Sequence, residues 1–376
     1  SHFPGLQAVD EASDIPYEAS QADLSRLREW TGWVPERQLE DTIPELIRHY
    51  AGLQAETPSP LAPMGVLISS VSKKVPLIQC VREAAARIGR AVTIVGADSN
   101  PNCIGRHFVD RFWEMPKLNE LSVSELIAYC RQHGIRAIIP TRDGELAYYA
   151  RHRAELRSAG IDVMVSSERT VDNCTDKLAF YAFGQANGLP VIPTDTDLSG
   201  IDARRFVVKE RFGAGARAIA IDVSREEAVR HAAKLAEPIF QPFVPGSEIS
   251  ADTYVGSSGR CLGVVLRRRE LVVDGESQIT STFRNDAIER LCADIAEKLG
   301  IYGHAVMQLI VDEEGRPHLI ECNARFGGAS RLSLAVGLDS FAWFMNEAEG
   351  GSPESNGFAR SPVERQLIRY AEDLIR

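Results

Sequence analysis

The sequence predicts an α/β chain built in two styles. A parallel-sheet module comes first and a mixed, mostly antiparallel α+β module follows, behind a short helical N-terminal segment. Two observations carry this. Between residues 64 and 167, strand-like apolar runs alternate one for one with helical segments, and strands joined by single helices pair in parallel through right-handed crossovers. Between residues 205 and 326, strands of alternating polarity follow one another through glycine-bearing turns, the pattern of hairpins.

Residues 1–63 are unlike the rest. "SQADLSRLREWTGWVPERQLEDTIPELIRHYAGL" reads as two short helices. Pro35 stops the first, and Ile43, Leu46, Ile47 and Tyr50 space the second helically. "QAETPSPLAP" (54–63) is an extended, proline-rich linker. The parallel module, 64–172, takes strands from "GVLISS" (65–70), "AVTIVGAD" (91–98), "IRAIIPT" (135–141) and "IDVMVSS" (161–167). Helices fall at 75–89, 122–134 and 144–160 between them. The second module spans 173–346. It opens with a helix over 176–188, closed by Gly188 and Pro190. Strands follow at 205–211, 212–222, 238–244, 247–256 and 261–271, with a helix at 285–299. The closing hairpin is 304–312 with 317–326, and 190–245 reads as a small lid. "PVERQLIRYAEDLIR" (362–376) predicts a C-terminal helix, in the last segment, 347–376.

Composition narrows the class. The 376 residues are 44% hydrophobic and 25% charged, as in soluble globular proteins, and the formal net charge of -10 argues against a nucleic-acid partner. No apolar run approaches the ~18 residues of a membrane span, and no signal peptide is visible. Seven cysteines without CxxC spacing suit reduced thiols, hence a cytoplasmic protein. The leading Ser1-His2 reads as a remnant of tag removal and favours an expressed fragment of a longer fusion.

Chemistry concentrates in "IECNARFGG" (320–328). Glu321, Asn323 and Arg325 lie two apart on one strand face, with Gln308 roughly opposite across the turn. Converging side-chain oxygens suit a hard cation such as Mg²⁺ bridging phosphate oxygens, and Arg325 beside them suits a phosphoryl group. The competing reading is a solvated strand end. Lys209 interrupts the apolar strand "FVVKE" before the loop "RFGAGAR", where its ammonium and the loop amides, with Gly213 and Gly215, reach phosphates. The alternative is an edge-strand lysine that blunts aggregation. Pro242 and Pro245 break "FQPFVPGSEIS" and leave backbone groups free for an adenine edge. Gln241 adds a side chain, and Glu248 suits ribose hydroxyls. Lys177 opens its helix and is ordinary in isolation. Neither a P-loop nor a GxGxxG follows the first strand.

In order and spacing, these features resemble the ATP-grasp superfamily, over about 64–346. The segments are "TDKLAFYAF", "FVVKERFGAGA", "FQPFVPGSE" and the Gln…Glu-x-Asn-x-Arg hairpin. The nearest look-alikes are stand-alone proteins similar to the carbamoyl-phosphate synthase large subunit, although Asn323-Ala324-Arg325 stands where Asn-Pro-Arg is usual. The resemblance implies a pre-ATP-grasp domain followed by an ATP-grasp fold. It implies Lys177 and Lys209 on the α- and β-phosphates, and Gln241 to Val244, Phe243 included, on adenine. It also implies Glu248 on ribose, and Gln308, Glu321 and Asn323 on Mg²⁺, with two ions and Mn²⁺ an alternative metal. Arg325 would then stabilise the phosphoryl group, with Arg267 or Arg269 a second clamp. His304, where relatives carry a small residue or proline, reads as structural. Residues 14–50 separately look like the C-terminal tail of an extended short-chain dehydrogenase of the nucleotide-sugar epimerase type, implying a fused or partner epimerase half. No GxGxxG or YxxxK accompanies that tail, which counts against a sugar-nucleotide enzyme.

The expected activity is ATP-dependent ligation: a carboxylate is phosphorylated to an acyl phosphate, which an amine then attacks. Candidate substrate residues are Ser69, Lys73, Lys74, Arg142, Asp143, Glu145, Arg284 and Arg331. Alternatives are carbamate or bicarbonate phosphorylation and a non-catalytic nucleotide-binding module. The helices at 23–50 and 362–376 are candidate elements of a homodimer interface.

Overall fold

The computed structural model describes residues 28, 29, 31–32, 63–213, 218–273, 275–352 and 357–375. The chain divides into two compact units, Ser1–Leu61 and Ala62–Arg376. In the first, Arg28, Glu29 and Thr31 are helical, and the Gly32 N–H donates to the Arg28 carbonyl at 2.9 Å. The second expected helix, most of the linker and nearly all of the epimerase-like stretch lie outside the described residues.

The second unit begins with a five-stranded parallel sheet in the order β3-β2-β1-β4-β5. Its strands are β1 (Met64–Ser69), β2 (Val92–Asp98), β3 (Arg111–Glu114), β4 (Ile135–Ile139) and β5 (Asp162–Val163). Helices α1 (Val75–Arg87), α2 (Val123–Gln132) and α3 (Asp143–Ser158) cross between strands. Every residue of β1 is buried, as a strand covered on both faces must be. Leu67 joins one core cluster with α2, α3 and the six-stranded sheet described below. Val66 and Ile68 point the other way, into a cluster shared with α1. Ser122 caps α2 with a reciprocal Glu125 bond.

Gly65 lets β1 and β4 approach closely, since a Cβ there would sit 2.6 Å from the Gly134 carbonyl oxygen and 2.7 Å from Ile135 Cα. Both obstacles are backbone. Gly65→Ala is therefore expected to destabilise the unit by about 1–3 kcal/mol in urea denaturation; a wild-type midpoint would show that the strands yield.

Next come α4 (Glu168–Thr175) and α5 (Lys177–Ala186), then a three-stranded antiparallel sheet β7-β6-β8. It comprises β6 (Phe206–Glu210), β7 (Ala220–Val223) and β8 (Pro238–Pro242), with α6 (Arg225–Ala232) packed on it. This sheet has its own small core: Leu198, Ile201, Phe206, Val208, Ala228 and Phe240.

The largest sheet has six strands in the order β13-β12-β9-β10-β11-β14, antiparallel throughout. They are β9 (Ser247–Val255), β10 (Cys261–Val273), β11 (Glu276–Phe283), β12 (Gly303–Val311), β13 (Pro317–Asn323) and β14 (Gln366–Ile368). Helix α7 (Asp286–Leu299), capped by Asn285 and ended by left-handed Gly300, covers one face. Helices α8 (Arg331–Leu334) and α9 (Ser340–Ala348) follow the last hairpin.

The C-terminal helix expected over 362–376 does not form: 366–368 is strand and no residue of 362–375 is helical. The open edge of β11 supplies backbone partners that an isolated amphipathic segment would otherwise find within itself, and sheet pairing wins. All seven cysteines are free thiols, and among the described residues no helix is long and apolar enough to cross a membrane.

Candidate active site

The β12–β13 hairpin places Gln308 directly opposite Glu321, and Val306 opposite Asn323. Its turn closes through the Asp312 N–H to the Arg316 carbonyl at 3.1 Å, with Gly315 left-handed (φ 78°). The register slips by one residue here. Leu309 pairs with Leu319 but Gln308 with Glu321, leaving Ile320 as a bulge. Leu319 points into the core, so strict alternation would bury Glu321 as well. The bulge sends Glu321 and Asn323 to the opposite face and Cys322 into the core.

That face carries a polar row. Glu321 accepts hydrogen bonds from Asn323 Nδ2 (3.0 Å) and from the Gln308 amide, whose oxygen in this orientation meets Arg269 Nη1 at 2.7 Å. Arg269 also pairs with Glu248 and donates to Ser277 Oγ (3.1 Å) and the Gly275 carbonyl (2.7 Å). Glu248, Arg269, Gln308, Glu321 and Asn323 therefore form one continuous cluster.

Both lysines reach it. Lys209 lies on β6, the middle strand of its sheet, so it is no edge lysine; it is 8% exposed. Burial lowers its pKa to about 8, and Lys177 adds to the drop, while Glu321 and Glu248 oppose it. Lys177 is 9% exposed at the start of α5. Burial lowers its pKa too, against Glu321, Asp143 and Asp176. Its ammonium donates to the Gly213 carbonyl at 3.0 Å and that of Arg211 at 3.3 Å, tying the helix start to the glycine loop. Asp176 caps α5 through Leu178 N–H (2.9 Å) and is itself held by the Arg211 guanidinium (2.8 Å). Gly213 is left-handed (φ 104°), and Gly215 lies outside the described residues.

The hinge is less open than expected. Gln241 is buried with its amide donating to Thr194 Oγ1 at 2.8 Å. The Phe243 N–H is taken by the Arg205 carbonyl at 2.9 Å, because Pro242 still pairs across to Phe206. Val244 is half-buried and Glu248 exposed.

Arg325 forms a two-pronged pair with Asp143 at 3.0 and 2.7 Å. The first residue of α3 is thus bound to the hairpin's arginine, and Asp143 is not a free substrate contact. Arg267 lies deeper on the same sheet face, 2% exposed, and pairs with Asp252, so the geometry gives it a structural anchor rather than an open clamp. Asp252, fully buried, also meets His304 Nε2 (3.1 Å), Ser330 Oγ and Ser333 Oγ (2.6 Å). His304 bonds onward to Ser340 Oγ at 2.8 Å. This network fixes the loop that follows Arg325. The acid in "SEISADTYV", in step with Glu248 and Ser250, was the signal available for it.

The substrate candidates scatter. Ser69 and Glu145 are fully buried. Glu145 accepts from Ser70 Oγ (2.7 Å) and the Arg142 N–H (2.9 Å), bracing left-handed Ser70 (φ 52°), while Arg142 Nε donates to Ser70 Oγ at 3.0 Å. Ser70, Arg142 and Glu145 thus brace the strand end by bonding one another, whereas the buried Ser69 hydroxyl has no hydrogen-bond partner among the described residues. Lys73 is exposed. Arg331 is bound by Gln79 (2.8 Å) and Glu83 (3.1 Å) of α1, and Arg284 by the Ser361 carbonyl (3.1 Å). Lys74 is half-buried: burial, then Arg325, lowers its pKa, and Glu276 and Asp143 oppose this.

Residues 234–371 match a family described as an ATP-grasp in the biosynthetic pathway with Ter operon, and residues 66–164 match the PylC-like N-terminal domain. These two matches support the ATP-grasp superfamily. Residues 14–50 lie outside both. A curated relative, mitochondrial pyruvate carboxylase of Mus musculus, is 23% identical over 242 residues, 54% of this chain but only 20% of that protein. Three solved structures are similar. Biotin carboxylase from Campylobacter jejuni in a β-γ-ATP complex has a TM-score of 0.63 at 16% identity, covering 78% of this chain and 73% of that one. The biotin carboxylase domain of Hydrogenobacter thermophilus 2-oxoglutarate carboxylase, in complex with MgADP, ADP and bicarbonate, has 0.61 at 18%, covering 78% and 72%. L-amino acid ligase from Bacillus licheniformis has 0.56 at 19%, covering 76% and 74%. These likenesses establish the fold: a parallel-sheet domain ahead of an antiparallel ATP-grasp domain.

Proposed function

We propose that this chain, with its ATP-grasp domain behind a parallel-sheet domain, is an ATP-dependent ligase that phosphorylates a substrate carboxylate for attack by an amine. The observation that carries the reading is the meeting of two buried lysines from different elements with the Glu321 cluster, beside Arg325. Burying two ammonium groups is costly unless an anion joins them, and a nucleotide's phosphates supply that charge.

In this reading Lys177 and Lys209 hold the phosphates under the glycine loop, the Gln241–Val244 segment borders adenine, and Glu248 meets the ribose. Glu321, Asn323 and Gln308 fit Mg²⁺: Glu321 is an anion with no ion pair within 4 Å among the described residues, and both amides already touch it, so turning each amide over would bring its oxygen to the same ion. An Mg²⁺ ion held by these residues would supply positive charge beside the phosphates. Arg325, kept in place by Asp143, stabilises the charge developing on that group, and Arg269 steadies Glu248 and Gln308. The carboxylate oxygen attacks the terminal phosphorus, ADP leaves, and the amine then displaces phosphate from the acyl phosphate. The test is ADP release across paired pools of carboxylates and amines. Stimulation that needs both supports ligation. Stimulation by bicarbonate alone would favour the second reading, which draws on the bicarbonate in the Hydrogenobacter complex. MgATP binding without turnover for any pool would favour a binding module.

A pH dependence follows from Lys209. The free protein holds it near 8 rather than 10.5, and phosphate needs it charged. MgATP affinity is therefore expected to fall as pH rises through about 8, read by calorimetric titration, and Lys209→Arg should flatten the profile. Ligand-free stability moves oppositely, rising between about 8 and 10.5, where only the unfolded chain keeps the proton. An affinity constant from pH 7 to 9 would remove Lys209 from the phosphates.

A further inference from the structure

We propose that Arg369, delivered by β14, is a substrate-binding residue that joins Lys74 in holding an anionic group of the acceptor beside Gly327 and Gly328. This rests on the ligase reading above and adds to it a residue from outside the closing hairpin.

Strand β14 is three residues long, with Gln366 and Ile368 exposed and Leu367 half-buried, so core packing does not explain its docking. It is pinned instead by backbone bonds, Thr282 N–H to the Arg365 carbonyl (2.8 Å) and Arg369 N–H to the Gln278 carbonyl (2.9 Å). The effect is to set Arg369 at the site. Its Nη1 pairs with Glu276 at 2.5 Å, and its Nη2 lies 2.6 Å from where a Cβ on Gly328 would stand. A side chain at Gly328, three residues after Arg325, would push the guanidinium out of this position. The turn that carries Glu276 is itself tied to the cluster, through Arg269 to the Gly275 carbonyl at 2.7 Å.

Lys74 arrives from the loop after β1. It lies close enough to Arg325, Glu276 and Asp143 to feel their charges, and among the described residues its ammonium has no hydrogen bond or ion pair. A half-buried ammonium beside a guanidinium, with Arg369 sharing its neighbour Glu276, is an arrangement that a bound anion relieves. The stretch matching the ATP-grasp family runs to residue 371 and so includes Arg369.

The test is calorimetric titration of the full chain, with Mg²⁺ and a non-hydrolysable ATP analogue. The probes are amino acids and small carboxylic acids, each with its matched carboxamide. The wild type should bind one or more acids and reject the corresponding amides. Arg369→Ala should weaken acid binding at least about tenfold while leaving analogue affinity within about twofold, with Arg369→Lys intermediate. Gly328→Ala, which displaces the guanidinium without deleting it, should reproduce the loss at an unchanged unfolding midpoint. Unaltered acid binding in Arg369→Ala, equal binding of acids and amides, or no acid binding by a protein that takes the analogue would each overturn the proposal. Failure to bind the analogue would instead sink the ATP reading and this one with it.

Discussion

Glu321→Gln is expected to cut ADP release by about 100- to 1,000-fold at an unchanged unfolding midpoint. The substitution keeps shape and removes charge. Asn323 and Gln308 lose the anion to which they donate, and Mg²⁺ loses the one formal charge among its three proposed ligands. The lysines lose support as well, since Glu321 is the foremost group raising the pKa of both Lys177 and Lys209. Their pKa values should fall further, and the weakening of MgATP binding should set in at lower pH than in the wild type. Wild-type turnover in this variant would remove Glu321 from the metal corner.

Asp252→Ala is expected to cost about 3–5 kcal/mol of stability, read by urea denaturation, because it strands Arg267 in the interior. Full burial alone would raise the Asp252 pKa, but Arg267 and His304 hold it well below the usual carboxylate range. A depressed carboxylate stabilises the fold above its unfolded pKa of about 4, and this contribution drains away as pH drops below that. Acid unfolding should therefore begin at higher pH in the wild type than in a variant where Asp252, Arg267 and His304 are replaced together by apolar residues that still fold. Asp252→Asn separates charge from shape: it keeps hydrogen bonds to Ser330 and Ser333 within reach but leaves Arg267 uncompensated. A small loss in both single variants would mean that Arg267 finds another partner.

Much of the fold was legible because its signals are local. The parallel module announces itself in apolar runs such as that of β1, and Gly188 marks the close of α5 as the spacing predicts, left-handed at φ 65°. Strand β11 was not legible. Its inward residues include Ser277, Thr280 and Thr282, all buried, so no hydrophobic alternation betrays it. The C-terminal segment misled for the opposite reason: its helical spacing is real, but tertiary pairing with β11 overrides it. In the candidate site, the common face of Glu321 and Asn323 was readable from spacing. The partners were not, because Asp143 on Arg325, Asp252 on Arg267 and Glu276 on Arg369 come from distant segments. Sequence marks which residues carry charge; only the fold decides which charges cancel.

The bulge at Ile320 also has a meaning for how this chain can change length. It works like a frameshift within a single strand: residues before it are in one phase with the core and residues after it in the other. Removing Ile320 would erase the bulge and leave one regular alternation, with Leu319 and Cys322 still inward and Glu321 still on the working face. Elsewhere the strand has no such slack: without Cys322, Asn323 would follow Glu321 directly and turn inward, whereas point substitutions leave the facing intact. The length of β13 can therefore change at the bulge, and elsewhere only at the expense of the working face.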